Sequence, residues 1–453
     1  MPFRPPSILS RLSSYNLSID NISDSESLTP VSAPFLFALF FISLKLTVRK
    51  TFFSPNVRLG SLGNVGVSIP RKMFLEKGSL VAEDSDYLES FQTFLGVIMT
   101  TWYQLYSLYK VLKKYNNLKY IVAITRNISR VTGWFCSLWL PLPLRYVFYG
   151  GFAKFYGINM EEVEHPDFGH YETFTKFFTR HLKEGVRTVS EPKNAKTMCS
   201  PCDGRVLTCG EINSEFSTID CVKGRSYRLD EFMFGTIGDN TDVQNESPEI
   251  PNNSQVAAVL DKVKQRGNKL MYMVIYLSPA DYHRFHSPAI HTGDYRRHIV
   301  GYLSPVKPSH VNKHKDVFKN NERVNIFGRW AQGFYFESAV GATNVGSIKL
   351  DFDEEVLTNK PVPKYPYYED KNYVSSLCAE KAGPFNKYLA QADFESESFK
   401  PDGSISFEKN EMTGRFEMGS TVVLIFEADN KTSLKVSEGK KLWLGEEIVA
   451  HEE

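Results

Sequence analysis

A serine that follows a glycine and opens a strongly apolar run can do chemistry on its own backbone. Met418-Gly419-Ser420-Thr421 is such a stretch, continued at once by Val422-Val423-Leu424-Ile425-Phe426. Glycine leaves room for a bent chain, and the apolar run predicts a short strand that would hold the bend. A base that takes the Ser420 proton would let Oγ attack the Gly419 carbonyl and turn the amide into an ester. Elimination across the serine then leaves an N-terminal pyruvoyl group. The same four residues also fit an ordinary turn before a strand.

Two further segments carry proton-transfer groups. His283 and His286 stand three apart between Ser278-Pro279 and Ser287-Pro288, directly after a strand predicted over residues 270–276. That position suits proton transfer near neutral pH, although structural histidines also sit at strand ends. A His-x-x-His pair can ligate metal, but no third ligand stands at a metal spacing nearby, so no metal is expected. Asp203 lies in Ser200-Pro201-Cys202-Asp203-Gly204, where Asp-Gly is also a common hairpin turn. Gly328-Arg329-Trp330 and Gly341-Ala342-Thr343-Asn344-Val345-Gly346-Ser347 offer small residues whose backbone amides could approach a ligand, or simply turn a hairpin. Cys199-x-x-Cys202 has the spacing of a redox or zinc half-site without a second pair, and reads as incidental.

The elements that must position these residues are less uniform. With 453 residues, 42% of them hydrophobic, the chain can bury one large or two moderate cores. A net charge of +1, from 53 basic and 52 acidic residues, excludes a field over the whole protein that would draw it to nucleic acid. Six cysteines are too few for a disulfide scaffold of this length. The Ser-rich residues 1–30 carry Arg4 and Arg11 and no acid before Asp20, a composition shared by mitochondrial presequences and disordered tails. Residues 33–48 are apolar but shorter than the roughly 20 needed to span a bilayer. Residues 94–112 are acid-free, with Trp102, Tyr103, Tyr106 and Tyr109 leading into Lys110, Lys113 and Lys114. That pattern fits a membrane span or an amphipathic surface helix. Residues 121–156 are aromatic and basic, suited to a core or a lipid surface. Phe174, Phe177, Phe178 and Leu182 predict an amphipathic helix over 171–182. From about Met198 the pattern changes to short strands, which puts a domain boundary between Gly185 and Thr197. Two polar inserts, 238–255 and 360–412, read as partly disordered surface excursions.

Taken in order, these segments resemble the phosphatidylserine decarboxylases of the mitochondrial and bacterial type, over roughly residues 121–446 apart from the inserts. The resemblance rests on Pro143-Leu144-Arg145, Phe177-Phe178-Thr179-Arg180, the Asp203-Gly204 segment, Val222-Lys223-Gly224 with Glu231-Phe232, Asp281-Tyr282-His283-Arg284-Phe285-His286, Asn321-Glu322-Arg323-Val324, the 340–347 segment and Gly419-Ser420-Thr421. Met418, where the family usually has Leu, keeps size and apolarity. Cys202, where bacterial relatives usually have Ala, is the other departure.

The resemblance implies a proenzyme in which Asp203, His286 and Ser420 form a charge relay that cuts the chain between Gly419 and Ser420. His286 would take the Ser420 proton and Asp203 would stabilise the imidazolium. Ser420 would become the pyruvoyl cofactor, which forms a Schiff base with phosphatidylserine and accepts electrons as CO₂ leaves, with no external cofactor. His283 is the candidate for proton handling in that second reaction. The implied fold is α+β: membrane-associated N-terminal helices, then a mostly antiparallel, barrel-sandwich-like β catalytic domain completed by a C-terminal small subunit. Its parts are a presequence at 1–30, a membrane-anchoring region at 31–120, a helical membrane-surface part at 121–190, the large-subunit β region at 191–419 and the small pyruvoyl subunit at 420–453. The implied setting is the mitochondrial inner membrane, with the bilayer as partner and a homodimer as a possible assembly. A serine hydrolase reusing the same three residues, or a lipid-binding module without activity, are the rival readings.

Overall fold

Alternate side chains leave a strand on opposite faces, so an unbroken apolar run needs cover on both sides. Residues after Gly419 meet that condition: Ser420–Ala428 is a strand with all 9 residues buried. Val422, Leu424 and Phe426 enter one hydrophobic core, Val423 and Ile425 the other.

The computed structural model describes residues 118–212, 218–221, 225–235, 253–311, 314, 316–343, 347–360, 368–374 and 403–452. Residues 1–30, expected as a presequence, the apolar segment 33–48 and the aromatic segment 94–112 lie outside the described residues. The helices, in chain order, are α1 (Leu118–Cys136), α2 (Leu142–Tyr156), α3 (Phe174–Phe178), α4 (Leu229–Phe234), α5 (Asn253–Gln265), α6 (Pro308–Val311) and α7 (Val317–Asn320). The strands are β1 (Met198–Cys199), β2 (Gly204–Glu211), β3 (Thr218–Cys221), β4 (Arg225–Arg228), β5 (Lys269–Leu277), β6 (Arg284–His286), β7 (His291–Ile299), β8 (Arg323–Trp330), β9 (Gly333–Val340), β10 (Ile348–Leu350), β11 (Tyr368–Asn372), β12 (Ile405–Phe407), β13 (Met412–Phe416), β14 (Ser420–Ala428), β15 (Thr432–Leu434), β16 (Lys441–Leu442) and β17 (Glu447–His451).

A nine-stranded antiparallel sheet runs β11-β7-β8-β9-β14-β5-β2-β16, with β12 beside β11 on the same edge of β7. On one face α4 and α5 supply Leu229, Phe232, Phe234, Val259 and Val263. On the other, the small sheets β10-β13-β6 and β1-β17-β15 supply Phe285, Ile348, Phe416, Ile448 and Val449. The fold is therefore mixed α and β, dominated by antiparallel sheets.

Two sequence expectations change. The helix expected over 171–182 is only the five-residue α3, started by the Thr173 side chain accepting from the Lys176 N–H. Its aromatic spacing comes from packing on α2, where Tyr149 and Phe177 stack at 5.0 Å, while Leu182 bridges to Val163 in extended conformation. The inserts, expected as surface excursions, contribute regular structure in their described parts. α5 starts at Asn253, and β11 and β12 extend the main sheet. Among the described residues no helix is long and apolar enough to cross a membrane. α1 instead anchors to the β region: buried Arg126 pairs with Glu322 at 3.0 Å and donates to the carbonyls of Gly301 and Lys360.

Candidate active site

Adjacent strands bring the separated motifs to one end of the main sheet. Ser420, the first residue of β14, pairs with Leu277 at the end of β5, and Tyr276 pairs with Arg205 at the start of β2. The histidine segment leaves β5 there, Asp203 precedes β2 there, and Val340 of β9 lies opposite Thr421. Gly204 is required by this convergence, since a Cβ would come 2.6 Å from Ile275 and 2.8 Å from the Tyr276 carbonyl oxygen. Asp203-Gly204 thus opens a tightly packed strand instead of turning a hairpin.

Ser420 is fully buried, and its Oγ has no hydrogen-bond partner; the Oγ1 of buried Thr421 also has none. His283 is fully buried with its ring 4.1 Å from that of Phe178. Its Nδ1 lies 2.8 Å from the Asp281 carbonyl oxygen, and because a carbonyl only accepts, Nδ1 carries the hydrogen. Nε2 is left with a lone pair and no partner. Burial holds this imidazole well below its usual range, so it is neutral at physiological pH.

His286 is held differently. Its backbone N–H donates to the Pro201 carbonyl at 2.8 Å, its Nδ1 to the Asn410 carbonyl at 2.9 Å, and its Nε2 faces the Tyr282 hydroxyl at 3.2 Å. Burial lowers its pKa first of all, while the Asn410 hydrogen bond and, more weakly, the Asp203 charge push the other way. Asp203 does not bond to His286. Its Oδ1 accepts from Arg187 Nε at 3.0 Å and from the Leu444 N–H at 2.7 Å, and its Oδ2 accepts from Arg187 Nη2 at 2.7 Å. Ser420 Oγ, His286 and Asp203 therefore share one end of the sheet without forming a hydrogen-bonded relay.

Arg187 is a site residue that sequence reasoning missed. It also pairs with Glu162 at 2.8 Å and lies 4.5 Å from the Trp443 ring. Trp443, Leu444 and Lys441, which pairs with Asp281, all follow the Gly419-Ser420 bond, so the last stretch of chain grips both acid-bearing loops. No sequence signal links Arg187 to a carboxylate 16 positions away. Gly419 corrects another expectation. Its φ lies outside the left-handed region and a Cβ there would meet open space, so neither strain nor crowding demands glycine. Met418 beside it packs against Cys136 of α1, sulfur to sulfur at 3.6 Å.

The sequence model of the phosphatidylserine decarboxylase family matches residues 174–450, which contain all of these groups except α1 and Glu162. The chain belongs to the phosphatidylserine decarboxylase family. It is 36% identical to the mitochondrial phosphatidylserine decarboxylase proenzyme of Rattus norvegicus over 324 residues, covering 72% of each chain. To the corresponding proenzyme 1 of Saccharomyces cerevisiae it is 32% identical over 377 residues, 71% of each. To the mitochondrial phosphatidylserine decarboxylase proenzyme of Caenorhabditis elegans it is 32% identical over 339 residues, 74% of each. Family membership makes the chain an enzyme of decarboxylase type and gives the convergence at β14 a chemical context.

Proposed function

We propose that the chain is a phosphatidylserine decarboxylase precursor that cuts itself between Gly419 and Ser420 and then works with a pyruvoyl group derived from Ser420. The observation that carries this reading is the buried, unpartnered Ser420 hydroxyl at the start of β14. An unsatisfied buried hydroxyl costs about 1–3 kcal/mol, a cost retained where reactivity needs it.

For self-cleavage, Oγ of Ser420 attacks the Gly419 carbonyl and the amide nitrogen leaves, giving an ester. Loss of the residue-420 α-proton then expels the Gly419 carboxylate, and water releases the nitrogen as ammonia. His286 is the base: its Nε2 lone pair is freed when the Tyr282 hydroxyl turns away. Asp203, fixed by Arg187 and the Leu444 N–H, supplies the negative charge that favours the imidazolium. The central place of β14, between β5 and β9, keeps the two pieces together as large and small subunits.

When present, the pyruvoyl carbonyl supplies the electron sink for loss of CO₂. His283 supports this reading: its Nε2 is buried away from water with an unmet lone pair, which makes it the candidate to take and return a proton. The product is phosphatidylethanolamine. Exposed Trp134, Trp139 and Phe155, at 53%, 64% and 67% exposure, supply an apolar surface on and between α1 and α2 suited to a bilayer. The relatives' names support a mitochondrial setting; the inner membrane as the lipid surface is part of the proposal. Borohydride treatment of the purified protein is expected to abolish decarboxylation by reducing the ketone. Full activity after reduction contradicts the reading.

A further inference from the structure

Arg180 is 3% exposed, and every hydrogen bond its guanidinium makes among the described residues goes to a backbone carbonyl, none to a carboxylate. Its Nη2 donates to the carbonyls of Ala280 at 2.8 Å and Asp281 at 3.4 Å, its Nη1 reaches the Phe178 carbonyl at 3.5 Å, and its Nε–H is buried with no acceptor. Its guanidinium also lies 5.7 Å from the centre of the Phe177 ring, but a buried cation held by carbonyls and a ring face, with one N–H left over, is costly unless an anion completes it. Its position suggests which anion. Arg180 and His283 converge on the same Asp281 carbonyl oxygen, and Phe178 touches both. Two residues that meet at one carbonyl oxygen thus each keep an unmet group, Arg180 the Nε–H donor and His283 the Nε2 acceptor. A phosphatidylserine headgroup offers the complement, anionic oxygens and an amine.

Resting on the reading above, we propose that Arg180 binds an anionic oxygen of the phospholipid headgroup, phosphodiester or carboxylate, and so sets the headgroup beside residue 420. Guanidinium suits this role because its planar fork can keep its carbonyl contacts while Nε takes the ligand. Ser420, His283 and Arg180 are all buried in the uncut chain, so the ligand enters once cleavage has freed the end of the segment before Ser420.

The test uses full-length Arg180→Gln and Arg180→Lys, scored first for self-cleavage and then for decarboxylation of phosphatidylserine in mixed micelles, with KM read apart from kcat. The expected result is complete cleavage with KM raised about tenfold or more, the loss of one charge-assisted hydrogen bond. Phosphatidylethanolamine, which has the phosphodiester but no carboxylate, distinguishes the two sources as an inhibitor. Weakened inhibition in step with KM assigns the phosphodiester, and unchanged inhibition assigns the carboxylate. If Arg180→Gln stays uncut, Arg180→Lys carries the test. Its ammonium would spend its N–H groups on the Phe178, Ala280 and Asp281 carbonyls and leave none for the headgroup, so its KM should still rise. A KM at the wild-type value in a cleaved variant, with only kcat or cleavage reduced, overturns the proposal and makes Arg180 a buttress of the 280–281 loop. Wild-type protein that stays uncut and releases no CO₂ shows failure of the parent reading and takes this proposal with it.

Discussion

The two ends of β14 answer the same problem, buried polar groups, in opposite ways. At the far end Glu427 is fully buried, and Arg266 pairs with both its carboxylate oxygens at 2.8 and 2.6 Å. Asn268 and the Phe334 N–H complete it at 2.7 and 3.0 Å, and Gly333 turns at φ +121° where a Cβ would strike Glu427. At the near end Ser420 Oγ, Thr421 Oγ1 and His283 Nε2 are buried with nothing bonded to them. One end is finished and fixes the strand. The other leaves its polar groups unmet, which on the proposed reading is where the fold sustains a costly reactive group.

The largest expected effect breaks the open end. Ser420→Ala removes the nucleophile, so the chain should remain uncut and CO₂ release should fall to background; normal cleavage of that variant, seen on a denaturing gel, refutes the assignment. Glu427→Ala breaks the finished end and strands Arg266, so denaturant unfolding should report a loss of about 3–5 kcal/mol. Cleavage by the folded fraction should nonetheless continue, and an intact unfolding midpoint would erase the contrast. Arg187→Ala has a smaller effect, freeing Asp203 of two charged hydrogen bonds. Self-cleavage followed by pulse labelling should slow about 10- to 100-fold, whereas an unchanged rate would make the clamp structural only.

A smaller effect separates His283 from the rest by pH. Its folded pKa is depressed by burial, so only the unfolded chain takes up that proton as pH falls below about 6.5. Wild-type stability linked to His283 is therefore present at neutral pH and lost toward acid. The stability difference between wild type and His283→Gln should shrink by at most about 1.4 kcal/mol per pH unit below that point. Parallel pH curves for the two proteins would show that His283 is not buried neutral.

What the sequence made legible followed periodicity and residue type. The 422–426 run reads as a short strand because nothing polar interrupts it, and Ser420, His283, His286 and Asp203 stand out by type and by the family's order. β11 was hidden because its Tyr-Glu-Asp-Lys-Asn sequence is charged. It answers the buried arginines of β7, Arg297 to Asp370 at 2.7 Å and Arg296 to Glu369 at 3.5 Å, and hydropathy cannot anticipate a strand held by ion pairs. Partner choice was equally hidden. That Asp203 would face Arg187 and the Leu444 N–H, and His286 would face Tyr282 and Asn410, depends on how β2, β6 and the 441–446 segment meet in space.

Intact mass of the purified, active protein tests self-cleavage most directly. Two polypeptides should appear, one ending at Gly419 and the other starting at residue 420 with a ketone in place of the amine. A preparation that decarboxylates phosphatidylserine as one unbroken chain with Ser420 unaltered would contradict the account.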